Sequence, residues 1–268
     1  MSKTVAIAGM GWLGLPLARH LEVLGYQVKG SVTSDEKAAK LRAGGYQAFT
    51  IEISEGGISG SLDQFLENAD FLVIMIPPGL RKHTGADYVL KMTYFLSEIE
   101  KSNVENVILV SSTSVYGDAQ GIVNEMQSPK PETQAGKQLL QVEQLFFTSE
   151  KIKTTIVRFG GLYGGSRQPV RYLAGRKELN NGDAPVNLIH RVDCIGILSE
   201  IIKQGAFGYV FNAVMPAHPK KRDYYSKTAV MLNLDPPKYS KSTKEEDFKQ
   251  VDSVNISKIL NYTFKKSL

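Results

Sequence analysis

A doubly wound parallel sheet of α/β class, with a small C-terminal substrate-side cap, is predicted by three features of this 268-residue sequence. A glycine loop, Gly9-Met10-Gly11-Trp12-Leu13-Gly14, joins an apolar run to a helical stretch near the start of the chain. From residue 4 to about residue 160, short β-branched runs alternate with amphipathic stretches, the pattern of a parallel sheet covered on both faces. Beyond that point the alternation gives way to segments punctuated by glycine and proline.

The first strand, Val5–Ala8, runs straight into the glycine loop, and a helix over Leu13–Leu24 follows. Each glycine has a reason: Gly9 allows the tight turn, Gly11 lets the backbone approach a diphosphate, and Gly14 permits close helix–strand packing. Amide groups at the helix start, with Trp12 and Leu13 in the loop, then favour an anion through the helix dipole. This is a Rossmann dinucleotide fingerprint in its strand–loop–helix context, so Gly9, Gly11, Trp12, Leu13 and Gly14 are expected to bind a nucleotide cofactor.

Further strands are expected at Gln27–Val32, Gln47–Ile51, Phe71–Ile76, Asn106–Ser111 and Thr154–Arg158. Helices fit between them at Asp35–Ala43, Ser61–Asn68, Tyr88–Lys101 and Lys137–Thr148. Right-handed crossovers would place the ligand crevice at the carboxyl ends of the strands. The later region predicts turns at Gly160-Gly161, Gly164-Gly165 and Asn180-Asn181-Gly182, a helix Val192–Ile202 and a strand near Tyr209–Asn212. A helix Asp223–Leu232 lies between the loops Pro216–Lys221 and Pro236–Lys244. The expected division is an NAD(P)-binding part, residues 1–160, and a smaller cap, residues 161–268, which returns strands and helices to the same sheet.

Composition narrows the function classes. No apolar run approaches the roughly 20 residues that span a bilayer, and no signal-peptide layout precedes the glycine loop, so a cytoplasmic protein without a membrane partner is expected. The single cysteine, Cys194, excludes an intrachain disulfide and offers no metal-ligand spacing; it is expected in the core, and no metal is expected. The net charge of +5 does not point to nucleic acid, because the lysines are dispersed and diluted by acids, as in Lys241–Lys249. The Lys265-Lys266 pair reads as a solvated tail. The expected partner is a small-molecule substrate, bound by a monomer or homodimer.

Four segments, taken in order, resemble the extended short-chain dehydrogenase/reductase superfamily, the epimerase and dehydratase group. Val107–Gly117 is similar to its fifth strand and active-site loop, Val157–Gly164 to its sixth strand, and Asn187–Asp193 to its His-x-x-Asp segment. Ile76-Pro77-Pro78-Gly79 resembles the fourth-strand end of an atypical subgroup. The resemblance implies that Ser112 orients a substrate oxygen, that Lys137 holds the nicotinamide ribose, and that Pro77, Pro78 and Ser111 border the cofactor. The family's Tyr-x-x-x-Lys pair falls on Thr133 to Lys137, so threonine stands at the tyrosine position. A phenol near pKa 10 is tunable by an adjacent ammonium, whereas an aliphatic hydroxyl is far too weak an acid for that role.

The remaining candidates carry two readings each. Ser112 contacts a ligand or caps a turn, with capping the stronger reading for Ser111 and Thr113; Ser114 is a turn residue by default. Lys137 holds the ribose or faces water. Tyr116 and Tyr163 replace the missing phenol or are structural. His190 and Asp193 titrate usefully or hold the cap against the sheet. Arg167 and Arg171 meet an anionic substrate or are solvated. At the end of the second strand Val32 occupies the place of the acid that bonds the NAD ribose, and Thr33, Ser34 and Lys37 offer donors to a 2′-phosphate. NADP is therefore favoured over NAD, although the usual arginine is missing and Asp35 lies close by. Glu52 or Ile53, after the third strand, is expected near the adenine. The function expected is an NAD(P)-dependent oxidoreductase or epimerase-like enzyme; the competing expectation is a silent NAD(P)-binding sensor.

Overall fold

The computed structural model describes residues 2–79, 86–240 and 247–268. The chain opens with β1 (Thr4–Ala8), α1 (Gly14–Val23), β2 (Gln27–Val32), α2 (Asp35–Ala43), β3 (Gln47–Ser54), β4 (Gly57–Gly60), α3 (Leu62–Leu66) and β5 (Phe71–Ile74). It continues with α4 (Tyr88–Ile99), β6 (Asn106–Ser112), β7 (Gly121–Val123), α5 (Gln134–Phe147), β8 (Lys153–Phe159), β9 (Gly161–Tyr163) and β10 (Leu188–His190). The last elements are α6 (Arg191–Gln204), β11 (Val210–Ala213), α7 (Lys221–Met231), β12 (Lys249–Val251) and α8 (Asn255–Lys258).

An eight-stranded sheet runs in the order β4-β3-β2-β1-β5-β6-β8-β11. Every pairing in it is parallel except β3 with β4. The strand order reverses between β1 and β5, and that topological switch point opens the crevice used by doubly wound sheets. Two small parallel pairs, β9 with β10 and β7 with β12, stand beside the main sheet.

Period-two alternation builds a core on each face. Val5 and Ile7 of β1, with Phe71 and Val73 of β5, pack under α1 and α6 against Leu17, Leu21, Ile197 and Ile201. Ala6 and Ala8, with Leu72 and Ile74, face Phe65, Met92, Phe95 and Phe146 from α3, α4 and α5. All five residues of β1 are buried, as a central parallel strand requires. Cys194 is fully buried in the first of these clusters.

Several boundaries differ from those expected, each for a local reason. β3 continues through Ser54 and turns back as β4, so Glu52 and Ile53 lie within a hairpin, paired with Ser59 and Ile58, and not after a strand end. α3 is shorter than the apolar spacing suggests and is followed by Asn68 at φ 54°. α5 starts three residues before Lys137, because Thr133 accepts a hydrogen bond from the Gly136 amide and caps it. β11 joins the edge of the main sheet beside β8. Of the loop expected over 236–244, residues 241–244 lie outside the described residues. Among the described residues, no helix is long and apolar enough to cross a membrane.

Candidate functional site

The glycine loop lies at the carboxyl end of β1, on the switch point. Gly9 adopts φ 113°, a conformation that favours glycine. A Cβ on Gly14 would overlap the Gly9 carbonyl oxygen, so the third glycine is required by contact between the two ends of the loop. Gly11 differs: nothing lies within 4 Å of where its Cβ would stand. Met10 donates its amide to Ser31 and fills the space over Gly30, which ties the loop to β2. At the start of α1, Leu15 and Leu17 already donate to Gly11 and Leu13, and Pro16 has no N–H, leaving the amides of Trp12, Leu13 and Gly14 without a backbone acceptor among the described residues.

Neighbouring strand ends carry the other expected residues. Thr33 and Ser34 follow β2 and lead into α2, on whose exposed side Lys37 lies. Asp35 is held by the Thr50 hydroxyl, 2.6 Å away. Pro77 and Pro78 follow β5, with Pro77 exposed and Pro78 half-buried. Ser112 ends β6, and its Oγ accepts from the Ser114 amide at 3.2 Å. Accepting that bond leaves the Ser112 proton available to another oxygen. Gly136 presses on the Ser114 carbonyl, so the first turn of α5, with exposed Lys137, lies against the serine loop. Glycine loop, proline segment, serine loop and Lys137 therefore gather on one edge of the sheet.

Ser111 points elsewhere. Its hydroxyl is buried and donates to Glu143 Oε1, so the side chain expected beside the cofactor is engaged on a carboxylate. Glu143 also receives a fork from Arg158, with Nη2 to Oε2 at 2.6 Å and Nε at 3.1 Å. Arg158 Nη1 donates to Tyr116 Oη at 2.8 Å, and Tyr116 donates to the Asn124 carbonyl at 3.0 Å. Burial pushes the Tyr116 phenol up, against the opposing pull of Arg158. Tyr116 is thus a structural residue in a closed network, whose charged members the sequence reveals only as an arginine inside a strand run and a glutamate inside a helix.

After residue 160, His190 Nδ1 accepts from the Val192 amide and caps α6, while its ring meets Tyr163 edge-on at 4.9 Å. Burial lowers the His190 pKa; Asp193 opposes this, and Lys266 and Arg191 reinforce it. The Tyr163 phenol is pushed up to about 12, mainly by burial. Asp193 is buried and accepts from the Tyr262 hydroxyl and the Lys265 amide, fastening the C-terminal segment to α6. Arg171 is exposed in the 3₁₀ turn Pro169–Tyr172. Arg167 does reach the glycine loop: its guanidinium lies 5.4 Å from the centre of the Trp12 ring, and that of Arg191 lies 5.1 Å from the same ring. No cluster of metal-ligating side chains occurs among the described residues.

Comparisons with known proteins bear on the family and the fold. Residues 4–132 match the family described as the NAD binding domain of 6-phosphogluconate dehydrogenase. Protein YeeZ of Escherichia coli (strain K12) is 34% identical over 265 residues, covering 98% of this chain and 96% of that one. Among solved structures, UDP-N-acetylglucosamine 4-epimerase from Bacillus cereus superposes with a TM-score of 0.79 at 15% identity, over 99% of this chain and 95% of that one. MoeE5 in complex with UDP-glucuronic acid and NAD gives 0.77 at 19% identity, over 99% and 95%. The chain belongs to the family of protein YeeZ, and its fold is that of the epimerase and nucleotide-sugar structures it superposes on.

Proposed function

We propose that the protein binds an NAD(P) dinucleotide across the β1/β5 switch point and acts on a small carbonyl or sugar-like substrate beneath the cap. The observation that carries this reading is the glycine loop. Gly9 has a backbone conformation that favours glycine, Gly14 has no room for a side chain, Gly11 faces open space, and three amides lack a backbone acceptor among the described residues. Such a cradle suits a diphosphate. MoeE5, of the same fold, is described in complex with NAD and a nucleotide sugar.

When bound, the dinucleotide would supply a hydride donor or acceptor. The chain's own part follows from its hydrogen bonds. Ser112, held by the Ser114 amide, directs its proton to a substrate oxygen. Lys137 offers an ammonium to the ribose hydroxyls from the first turn of α5. Thr133, at the family's tyrosine position, caps α5 through the Gly136 amide and does not take over the acid's work; proton transfer then falls to water or to another side chain. That capping role is also what favours the second reading, a catalytically silent NAD(P) sensor.

Thr33, Ser34 and Lys37 supply donors for a 2′-phosphate, while Asp35 is drawn toward Thr50, so NADPH is expected to bind more tightly than NADH. Trp12, the sole tryptophan, reports binding from inside the loop. Titration with NADPH or NADH should quench its fluorescence with saturation, and a flat response to both would overturn the proposal. A carbonyl and nucleotide-sugar screen with NADP(H) separates enzyme from sensor. Where turnover is found, Ser112→Ala should lower it roughly a hundredfold or more with cofactor affinity kept; an unchanged rate would remove the role given to Ser112.

A further inference from the structure

Arg167 and Arg191 come from different parts of the cap yet converge on one ring. Gly164 and Arg167 form an antiparallel bridge, each amide donating to the other's carbonyl, and this closes a two-residue turn at Gly165-Ser166. Gly165 adopts φ 57°, and a Cβ there would stand 3.0 Å from Arg191 Nη2. The turn thus fixes the backbone of Arg167 and makes room for Arg191. Arg191 itself opens α6, directly after the capping His190.

Both guanidiniums lie about 5 Å from the Trp12 centroid, which places them within about 10.5 Å of each other. That is comparable to the screening length of roughly 8–10 Å at physiological salt, so the two cations repel. Neither is paired with a carboxylate among the described residues. The nearby acid, Asp193, has one oxygen occupied by Tyr262 and Lys265, and Lys266 adds a further positive charge near His190. The indole face offsets part of the repulsion and holds the side chains in place. What remains is a preorganised pair of planar cations on the loop whose amides await a diphosphate.

We propose that Arg167 and Arg191 form a clasp that closes on a diphosphate from the cap side, opposite the amides of the glycine loop. The inference rests on the dinucleotide reading above and adds a second layer of recognition to it. Guanidinium forks match phosphate oxygens bidentately, and the Trp12 platform reduces the rotamer freedom lost on binding. The diphosphate belongs either to the dinucleotide or to a nucleotide-sugar substrate; both present the same anion.

Calorimetric titration of the full chain with NADH and, separately, UDP-glucose distinguishes the sources. Arg167→Ala/Arg191→Ala is expected to weaken NADH at least tenfold, with UDP-glucose affinity unaltered. A tenfold loss confined to UDP-glucose would assign the clasp to substrate and still support a diphosphate ligand. Should the wild type bind NADH saturably while the double variant matches it for both ligands, the clasp is refuted and the dinucleotide site stands. Failure of the wild type to bind NADH and NADPH would instead remove the dinucleotide reading itself. Circular dichroism controls for folding; if the alanine pair unfolds, Arg167→Gln/Arg191→Gln, which keeps stacking area and loses charge, decides by the same outcomes. Calorimetry is required because both substitutions alter the environment of Trp12.

Discussion

Gly136 lies so close to Ser114 that a Cβ on the glycine would overlap the serine carbonyl oxygen. This contact seats the first turn of α5 against the serine loop and so relates Lys137 to Ser112. Gly136→Ala gains about 1 kcal/mol of helix propensity. It also forces a methyl group against backbone, which costs about 1–3 kcal/mol. The overlap is with a carbonyl and not with a flexible side-chain end, so net destabilisation is expected. Chemical denaturation measures it, and a stabilised variant would contradict the packing described.

The three glycines of the loop should separate by experiment. Gly14→Ala drives a methyl into the Gly9 carbonyl and is expected to lower stability together with dinucleotide affinity. Gly11→Ala meets nothing within 4 Å, so stability should change by less than about 0.5 kcal/mol while affinity falls. Thermal melts and calorimetry on the two variants form the test. Equal loss of stability would show that the open space beside Gly11 is not there in solution.

The Arg158–Glu143 pair is buried, with side-chain exposures of 7% and 2%. Breaking such a pair strands a charge, so Arg158→Leu should destabilise by about 3–5 kcal/mol. Replacing both partners with apolar residues, as in Glu143→Leu/Arg158→Met, should recover most of that loss despite leaving Ser111 without its carboxylate, while Tyr116 loses Arg158 and keeps Asn124 and Asn212. The denaturant midpoints of the single and double variants give the answer directly.

His190 links stability to pH. Its folded-state pKa lies below the ordinary 6.5, chiefly through burial, and its neutral Nδ1 caps α6. A depressed base contributes stability that is present above pH 6.5 and is lost as the pH falls through the folded value, because the unfolded chain takes up the proton first. Wild type minus His190→Asn, which retains a capping oxygen, should therefore show a difference in melting temperature that shrinks below pH 6.5. A difference that grows on acidification would reverse the sign of this linkage.

Much of the fold was legible because it rests on local chemistry. The run Val5–Ala8 and the spacing of Gly9, Gly11 and Gly14 specify a strand, a turn and a helix start without reference to the rest of the chain. β7, β9, β10 and β12 escaped because each is three residues long, too short for a period-two pattern to declare itself. The β3–β4 hairpin was hidden for a different reason: its second strand, Gly57–Gly60, carries two glycines and little β-branched character.

By itself the sequence determined the alternating frame and the strand, glycine loop and helix start that follow from it. Only the tertiary structure decided how the polar residues are used. It turned Ser111 toward Glu143, enclosed Tyr116 beside Arg158 and stacked Arg167 and Arg191 on Trp12. The reason is physical: backbone conformation and burial follow from near neighbours along the chain, whereas a hydroxyl or guanidinium takes its role from partners brought within reach by folding, here up to 179 residues away.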